Sequence, residues 1–506
     1  MPQKHMDRLS AVDATFLHQE SATTHMHIGG LVILEGTPPT YDEFLDHIAS
    51  RLDQVPRYRQ KLAVPPFQTG RPLWIDDPAF NLEYHVRHTA LPRPGTEAQL
   101  EKLTARIFSQ LLDRAKPLWE LWLVEGLNGD RFAIISKTHH SLVDGVSGAE
   151  LATVLFDISP DYVPAKPRDW IPRPEPSTAE ILAAGARDAV GLATSTAGTV
   201  VGALSKPSRL VSTARETLEG LGEVAWAGLN RAPTSLLNVP LGPNRRYRVV
   251  KGRLEDYKLV KNAFGGTVND VVLAVVAGAL ARYFEAHRER TEGLELRALV
   301  PVSVRSLDKK HAMGNEITLM LAPLPLGITD PVARLAQVSR SMDGVKKSKQ
   351  ALGASTIAGV QRFAPPTLLA VSSRLSMSAR MYNLLVTNVP GPQFPVYARG
   401  RRLLEIAPVP FLAPDHALAI AIMSYDGGID FGVLTDYDAI SEIDTLAGGI
   451  KDALDELVGL ARAAVSAAAG VASNGSTSDG ARPTTRRRTT AAGRATARRS
   501  TPRASK

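Results

Sequence analysis

"LWELWLVEGLNGDRFAIISKTHHSLVDGVSG", residues 118–148, holds two β-rich runs on either side of Asn128-Gly129 and closes on two adjacent histidines followed by an Asp-Gly pair. Asn-Gly between alternating apolar runs is a strong hairpin signal, because both residues accept the positive φ that a tight turn demands. The second run therefore ends at His139 and His140. Just beyond, Ser147 and Glu150 match a capping box, and Leu151, Val154, Leu155 and Ile158 repeat at helical spacing. A strand end carrying two imidazoles thus faces the entrance of a helix.

The same alternation extends outward. "HIGGLVILEG" (27–36) reads as a strand, and in "TYDEFLDHIASRL" (40–52) Phe44, Ile48 and Leu52 recur at helical spacing. Prolines 160, 164, 167, 172, 174 and 176 then break the pattern and mark a boundary. From Thr178 to Asn230 the chain is rich in Ala, Gly, Leu and Thr and is expected to form one or two connecting helices. Its longest uncharged span, between Asp188 and Lys206, is too short and too rich in Gly, Ser and Thr to cross a membrane. In the second half Gly265-Gly266 closes one helix and Thr267 caps the next, "VNDVVLAVVAGALARYFEAH" (268–287), whose valines indicate burial. Strands follow in "LRALVPVSVR" (296–305) and in "LAIAIMSYDGGIDFGVLTD" (418–436), with Asp426-Gly427-Gly428 as the turn. The fold class expected is α/β, in two halves at 1–160 and 245–465, joined by a Pro-rich and helical connector at 161–244 and followed by a basic tail at 471–506. Domain interfaces favour ligand clefts.

Composition narrows the chemistry. A 506-residue chain is too long for one typical core, and 44% hydrophobic with 22% charged residues is a globular composition. There is no cysteine, so disulfides, zinc-thiolate sites and a thiol nucleophile are excluded. No G-x-S-x-G elbow is present, which disfavours a lipase-type serine nucleophile. Residues 1–20 lack the apolar stretch of a signal peptide, so a cytoplasmic location is expected. The net charge of +8 suggests nucleic acid until it is located: residues 471–506 hold nine basic side chains against Asp479 alone. The body is therefore neutral, and no nucleic acid is expected. The tail, too polar to bury a core, is expected to be disordered, with attraction to an anionic membrane as its alternative role.

Consecutive strand residues point to opposite faces, so His139 and His140 cannot both address one small target while the strand persists. A His140–Asp144 metal pair would need a helix that Gly145 and the later capping box oppose, and no metal site is expected. What remains is one histidine toward a cleft and one in its wall; a purely structural pair, satisfied by backbone partners, is the alternative. A neutral imidazole with a free pKa of about 6.5 can take a proton from a hydroxyl near neutrality. Asp144 could hold the loop and set the tautomer, while Gly145 lets the backbone turn tightly.

HHxxxDG, met by His139, His140, Asp144 and Gly145, resembles the hallmark of CoA-dependent acyltransferases and peptide-synthetase condensation domains. More narrowly, the chain resembles the bacterial wax ester synthase/acyl-CoA:diacylglycerol acyltransferase (WS/DGAT) family. "LSAVDATFLHQE" (9–20) with "MHIGGLVILEG" (26–36) is similar to its N-terminus, "PLWELWLVEGL" (117–127) to its PLW motif, Asn269-Asp270 to its ND motif and "TNVPGP" (387–392) to its NVPGP motif. The resemblance runs over roughly residues 7–460.

It implies two chloramphenicol-acetyltransferase-like α/β domains with a substrate tunnel at their interface, acyl-CoA entering as a substrate and no cofactor. The acceptor would be diacylglycerol or a fatty alcohol, and the setting peripheral to a membrane or lipid droplet. His140 would be the general base, with His139, Asp144 and Gly145 chiefly architectural. Asn269 would donate to the oxyanion, or Asn269 and Asp270 would merely serve their helix start. Pro117, Leu118 and Trp119 would shape a hydrophobic channel, with Trp119 as plain core the alternative. Asn388, Pro390, Gly391 and Pro392 would make a rigid turn near the interface, and Arg305 would pair with Asp144. Two other functions compete: a condensation enzyme using a carrier-protein thioester, and a non-catalytic lipid-binding homologue.

Overall fold

The computed structural model describes residues 7–66, 70–142, 154–183, 231–303, 317–347 and 381–474. Its strands are β1 (Asp7–Arg8), β2 (His27–Glu35), β3 (Gln60–Ala63), β4 (Leu73–Asp76), β5 (Val86–Ala90), β6 (Trp119–Leu127), β7 (Arg131–His139), β8 (Arg245–Arg253), β9 (Glu295–Ser303), β10 (Ile317–Pro325), β11 (Leu384–Pro390), β12 (Tyr397–Ala398), β13 (Arg401–Val409), β14 (Leu418–Tyr425) and β15 (Gly428–Asp436). The helices are α1 (Ala11–Gln19), α2 (Tyr41–Ala49), α3 (Leu82–His85), α4 (Glu97–Phe108), α5 (Leu254–Phe264), α6 (Val268–Ala286), α7 (Pro331–Lys347) and α8 (Ile443–Asn474).

The hairpin around Asn128-Gly129 forms, but with three residues between β6 and β7 and a register shift between Val124 and Leu127. The extra residue, Asp130, adopts φ 51° after Gly129 at φ 79°, so the turn is the longer, bulged type. The second hairpin, β14–β15, turns on two residues, Asp426 and Gly427, both at positive φ, while Gly428, expected in the turn, already begins β15. Thr267 and Asp270 make a reciprocal capping box at the start of α6, whose residues from Asp270 to Ala281 are all buried. That burial on every side explains a helix of valines without a polar face.

Two six-stranded sheets organise residues 1–461, which form one compact unit; residues 462–506 form a second, which contains the last turns of α8. The first sheet runs β12-β13-β2-β7-β6-β5, the second β10-β9-β11-β14-β15-β8, and a three-stranded sheet β1-β4-β3 accompanies the first. One core cluster, including Phe44, Ile48, Trp119 and Ile134, serves the first sheet, and another, including Val272, Val276, Ile420 and Val433, serves the second. A third joins them, with Leu31, Leu100 and Ile135 against Tyr247, Leu299 and Leu385.

Sequence order and sheet membership part company at one place. β13, from the C-terminal half, pairs antiparallel with β2 from Leu403↔Leu34 to Val409↔Gly29, so the first sheet is built from both halves. A division at 245–465 therefore does not separate the two sheets, because a β edge pairs with whichever complementary strand the fold brings beside it. Of the connector, residues 178–183 are helical, and the remainder of the expected connecting helices, the capping box at Ser147 and Glu150, and the tail beyond Asn474 lie outside the described residues. No single helix among the described residues is long and apolar enough to cross a membrane.

The sheets meet along a seam of α4, β8, β13 and β15. Tyr247 donates its hydroxyl to the Pro408 carbonyl at 3.1 Å, and the Val249 N–H donates to Glu101 at 2.9 Å. Lys251 on β8 bonds Glu97 on α4 at 2.8 Å and Glu405 on β13 at 2.8 Å. A shallow crevice with room for little more than one water, lined by Leu31, Ile33, Leu100, Val249 and Ala407, lies here. Beside it Asp430 is buried, and burial first, then the Glu405 charge, push its carboxyl up to about 7, with Lys251 opposing.

Two outcomes follow from this seam. A Cβ on Gly432 would stand 1.6 Å from the Pro408 carbonyl oxygen, so Gly432→Ala should destabilise the protein by more than the about 1–3 kcal/mol of ordinary overpacking, measured by urea melts. Folded Asp430 keeps a proton that the unfolded chain loses near pH 4, so this carboxyl adds a downward slope to stability between about pH 4 and about 7, opposite in sign to the slope added by the buried histidines. Asp430→Asn should erase that slope, its advantage growing to at most about 4 kcal/mol by pH 8.

Candidate active site

β7 stops at His139 for a reason visible in its side chain. The His139 ring is fully buried, with Nε2 2.7 Å from a Glu20 carboxylate oxygen, and its Nδ1 accepts the Ser141 N–H at 3.1 Å. A backbone N–H can only donate, so Nδ1 carries the lone pair and Nε2 the proton. The Glu20 approach is close but bent away from the N–H direction, an electrostatic contact more than a linear hydrogen bond. Burial pushes the His139 pKa down, with Glu20 opposing, so the ring is neutral. Glu20 itself is held below the usual carboxylate range: burial opposes its charge, but His139 and then Arg114, 3.0 Å away, outweigh it. Trapping the Ser141 N–H winds residues His140–Leu142 into a 3₁₀ turn, which takes His140 out of the strand.

His140 is then fixed from several sides. Its N–H donates to the Met26 carbonyl at 2.9 Å, from a Met26 held at φ 50°, a left-handed conformation that costs a side-chain-bearing residue roughly 1–2 kcal/mol. Its ring stacks on Phe16 of α1 at 3.8 Å between centroids and meets Phe411 edge-on at 5.5 Å. Nδ1 is buried without a partner, whereas the residue as a whole keeps a partly open surface. Burial, then the neighbouring His139, push the imidazole down to about 4, its own backbone carbonyl opposing. The result is a neutral imidazole with Nδ1 sealed, in a residue that keeps a partly open surface.

Asn269 and Asn388, distant in sequence, come together: the Asn388 amide donates to Asn269 Oδ1 at 3.4 Å. That leaves the Asn269 NH₂, in the first turn of α6, without a hydrogen-bond partner among the described residues. Asp270 is committed to the helix start, accepting the Thr267 N–H at 2.8 Å and the Ser339 hydroxyl at 3.4 Å. Pro390 ends β11 beside Ser424, and a Cβ on Gly391 would stand 2.3 Å from the Ser424 carbonyl oxygen, so only glycine fits there. Among the described residues no hydrogen bond, ion pair or ring contact links this asparagine pair to His140.

Pro117, Leu118 and Trp119 are buried behind the histidine strand. The Leu118 carbonyl accepts the His139 N–H at 3.0 Å, and the Trp119 indole donates to the Tyr58 carbonyl at 2.7 Å and stacks on His85 at 4.6 Å. These are contacts of a core that backs the site. Asp144, Gly145 and Arg305 lie outside the described residues, as does any pairing between them. Among the described residues no group of three or more metal-binding side chains is placed to hold an ion. Sequence reading missed Phe16, Glu20, Met26 and Phe411, and also His27, buried opposite His139 on β2 with its ring 5.8 Å away. Phe16 and Glu20 fall within the quoted N-terminal motif, where a fixed spacing to the strand at 27 was the available signal.

The family model for the wax ester synthase/diacylglycerol acyltransferase catalytic domain matches residues 9–272, and that for the WS/DGAT C-terminal domain matches residues 313–458. Two probable diacylglycerol O-acyltransferases of Mycobacterium tuberculosis are similar: one is 34% identical over 461 residues, covering 90% of this chain and 97% of its own, the other 35% identical over 466 residues, covering 89% and 99%. Among solved structures, the wax ester synthase/diacylglycerol acyltransferase from Marinobacter aquaeolei VT8 superposes with a TM-score of 0.63 at 27% identity, covering 90% of this chain and 99% of that one. The starter condensation domain of rhizomide synthetase shares the fold, with a TM-score of 0.54 at 14% identity over 90% of this chain and 95% of its own. The α/β architecture is thus the two-domain chloramphenicol-acetyltransferase-like one.

The charge state of the two histidines can be read without substrate. In ¹⁵N-histidine spectra both rings should be neutral at pH 7, with His139 protonating below its ordinary value and His140 near 4. A His140 midpoint at the free value of about 6.5 would contradict the dry environment described.

Proposed function

The chain belongs to the wax ester synthase/diacylglycerol acyltransferase family and is an acyltransferase, and on that premise we propose that it transfers a long-chain acyl group from acyl-CoA to diacylglycerol, with His140 as general base. A fatty alcohol is the second acceptor in this reading, as the names of the family and of the Marinobacter protein suggest. The observation that carries the assignment is His140: its ring neutral and buried at Nδ1, in a residue that keeps a partly open surface.

In the step proposed, the acceptor hydroxyl gives its proton to His140 Nε2 as its oxygen bonds to the thioester carbonyl carbon. The tetrahedral intermediate collapses, the C–S bond breaks, and the departing CoA thiolate takes the proton back from His140. Ester and free CoA are the products, and no acyl-enzyme forms. A base with its pKa near 4 is always unprotonated at neutral pH but is a weak one, so general-base help of about 10²–10⁴-fold cannot be the whole acceleration. Juxtaposing the two substrates and stabilising the oxyanion supply the rest. Asn269 suits the second task, since Asn388 occupies its carbonyl end and its NH₂ has no hydrogen-bond partner among the described residues. Asp144 and Gly145 are assigned to the turn that follows His140, and Arg305 to pairing with Asp144. Acyl-CoA is consumed as a substrate and no cofactor is required. The substrates would meet in a tunnel between the two sheets, and the nine basic side chains of 471–506 would draw the enzyme to an anionic lipid surface.

Mass spectrometry of products from a long-chain acyl-CoA with mixed diacylglycerol and hexadecanol tests the reading. Triacylglycerol, with wax ester beside it, should form with one CoA released per ester, and His140→Ala should lower the rate by about 10²–10⁴-fold. CoA release that depends on neither acceptor would overturn the transferase assignment.

A further inference from the structure

A general base needs its ring held so that one nitrogen faces the proton it takes, and the usual device is a carboxylate or carbonyl bonded to the other nitrogen. His140 lacks an external partner of that kind among the described residues: its Nδ1 is buried and makes no well-formed hydrogen bond, with only the residue's own backbone carbonyl acting on the ring. Rotation of an imidazole about χ2 meets only a broad, roughly two-fold preference, so nothing intrinsic to the side chain holds it. Two aromatic rings flank the imidazole instead. Phe16, from α1, lies parallel to the imidazole at 18° and 3.8 Å, and Phe411 crosses it at 87° and 5.5 Å. The two phenyl rings also meet each other edge-on at 6.1 Å, so each is braced by the other. Both are almost fully buried.

We propose that Phe16 and Phe411 are positioning residues for acyl transfer, an aromatic clamp that holds the His140 ring with Nδ1 inward and Nε2 toward the acceptor. The proposal rests on the assignment of His140 as base. A flat face at stacking distance blocks rotation of the imidazole out of its plane, and the perpendicular ring blocks displacement along that plane. The Phe16 face also meets the imidazolium that forms as the hydroxyl loses its proton, an electrostatically favourable partner for a cation. Phe411 lies on the connection 410–417, which carries the chain from β13 in the first sheet to β14 in the second. The clamp is therefore closed by the segment that ties the two sheets together. Among the described residues the titratable group acting on His140 is His139, itself governed by Glu20 and Arg114, and neither α1 nor the 410–417 segment adds a charge that does so.

The test uses Phe16→Leu and Phe411→Leu, which keep most of the volume but remove the ring, with Phe16→Tyr and Phe411→Tyr as conservative partners. Each Leu variant should lose about 3- to 10-fold in kcat, as expected for one aromatic contact, with KM within about twofold of wild type. The acidic limb of kcat/KM should move upward from the wild-type position near pH 4 as water reaches the imidazole, and the Tyr variants should restore both readouts. A role confined to stability would lower the folded fraction but leave the limb where it was. If a Leu variant does not fold, Phe→Met at the same position removes the ring equally and carries the same readouts. Folded Leu or Met variants with wild-type kcat and an unmoved limb, beside an inactive His140→Ala, overturn the clamp alone. A fully active His140→Ala overturns the base assignment and the clamp with it.

Discussion

The pairing of β13 with β2 makes one molecule of two sheets. Seven residues after Arg401-Arg402 lie along β2, so the C-terminal half contributes its own strand to the N-terminal sheet before the chain returns to the second sheet as β14. Backbone ladders of this kind resist slippage, because a one-residue shift would turn every buried side chain to the wrong face. Both ends of β2 acquire their character from it. Toward Glu35, the ladder sets Glu405 beside Lys251 and Glu97 at the seam. Toward His27, it delivers Phe411 to the ring of His140.

At that second end the structure is a chain of dependencies. Arg114 and His139 hold Glu20 ionised, Glu20 faces the protonated Nε2 of a neutral His139, and the other nitrogen of that ring takes the Ser141 N–H. The trapped N–H ends the strand, and the turn that follows places His140 against Phe16 with its backbone tied to Met26. Two adjacent imidazoles are thereby given different surroundings: one is sealed between Glu20 and the Ser141 N–H, the other is desolvated in a residue that keeps a partly open surface. The charge of His140 is suppressed chiefly by burial rather than by a partner, which keeps the ring ready as an acceptor at neutral pH at some cost in basicity.

Local signals carried far in this sequence. Asn128-Gly129 marked the hairpin that ends on the histidines, Thr267 and Asp270 marked the start of α6, and the Asp426-Gly427 turn separated β14 from β15, each through chemistry written within four residues. The alternative of Trp119 as plain core was also legible and matches its contacts with Tyr58 and His85. What local pattern could not show was partnership across long separations. β13 reads as a strand only once β2 is beside it, and Phe411 lies 271 positions from His140 in a segment with no motif of its own. Glu20 belonged to the recognised N-terminal motif, yet its role depends on the tautomer of His139, a property of three-dimensional hydrogen bonding. The ND pair divides in the structure along a line the sequence left open, Asp270 going to the helix start and Asn269 to Asn388.

The central claim is that the reactive edge of His140 lies where the acyl group changes hands. The most direct measurement is affinity labelling with an acyl-CoA analogue bearing an α-halogen on its acyl chain, followed by peptide mapping. The account predicts one alkylated residue, His140, with modification tracking loss of activity and suppressed by excess acyl-CoA. Inactivation with the label on another side chain and His140 intact would contradict it.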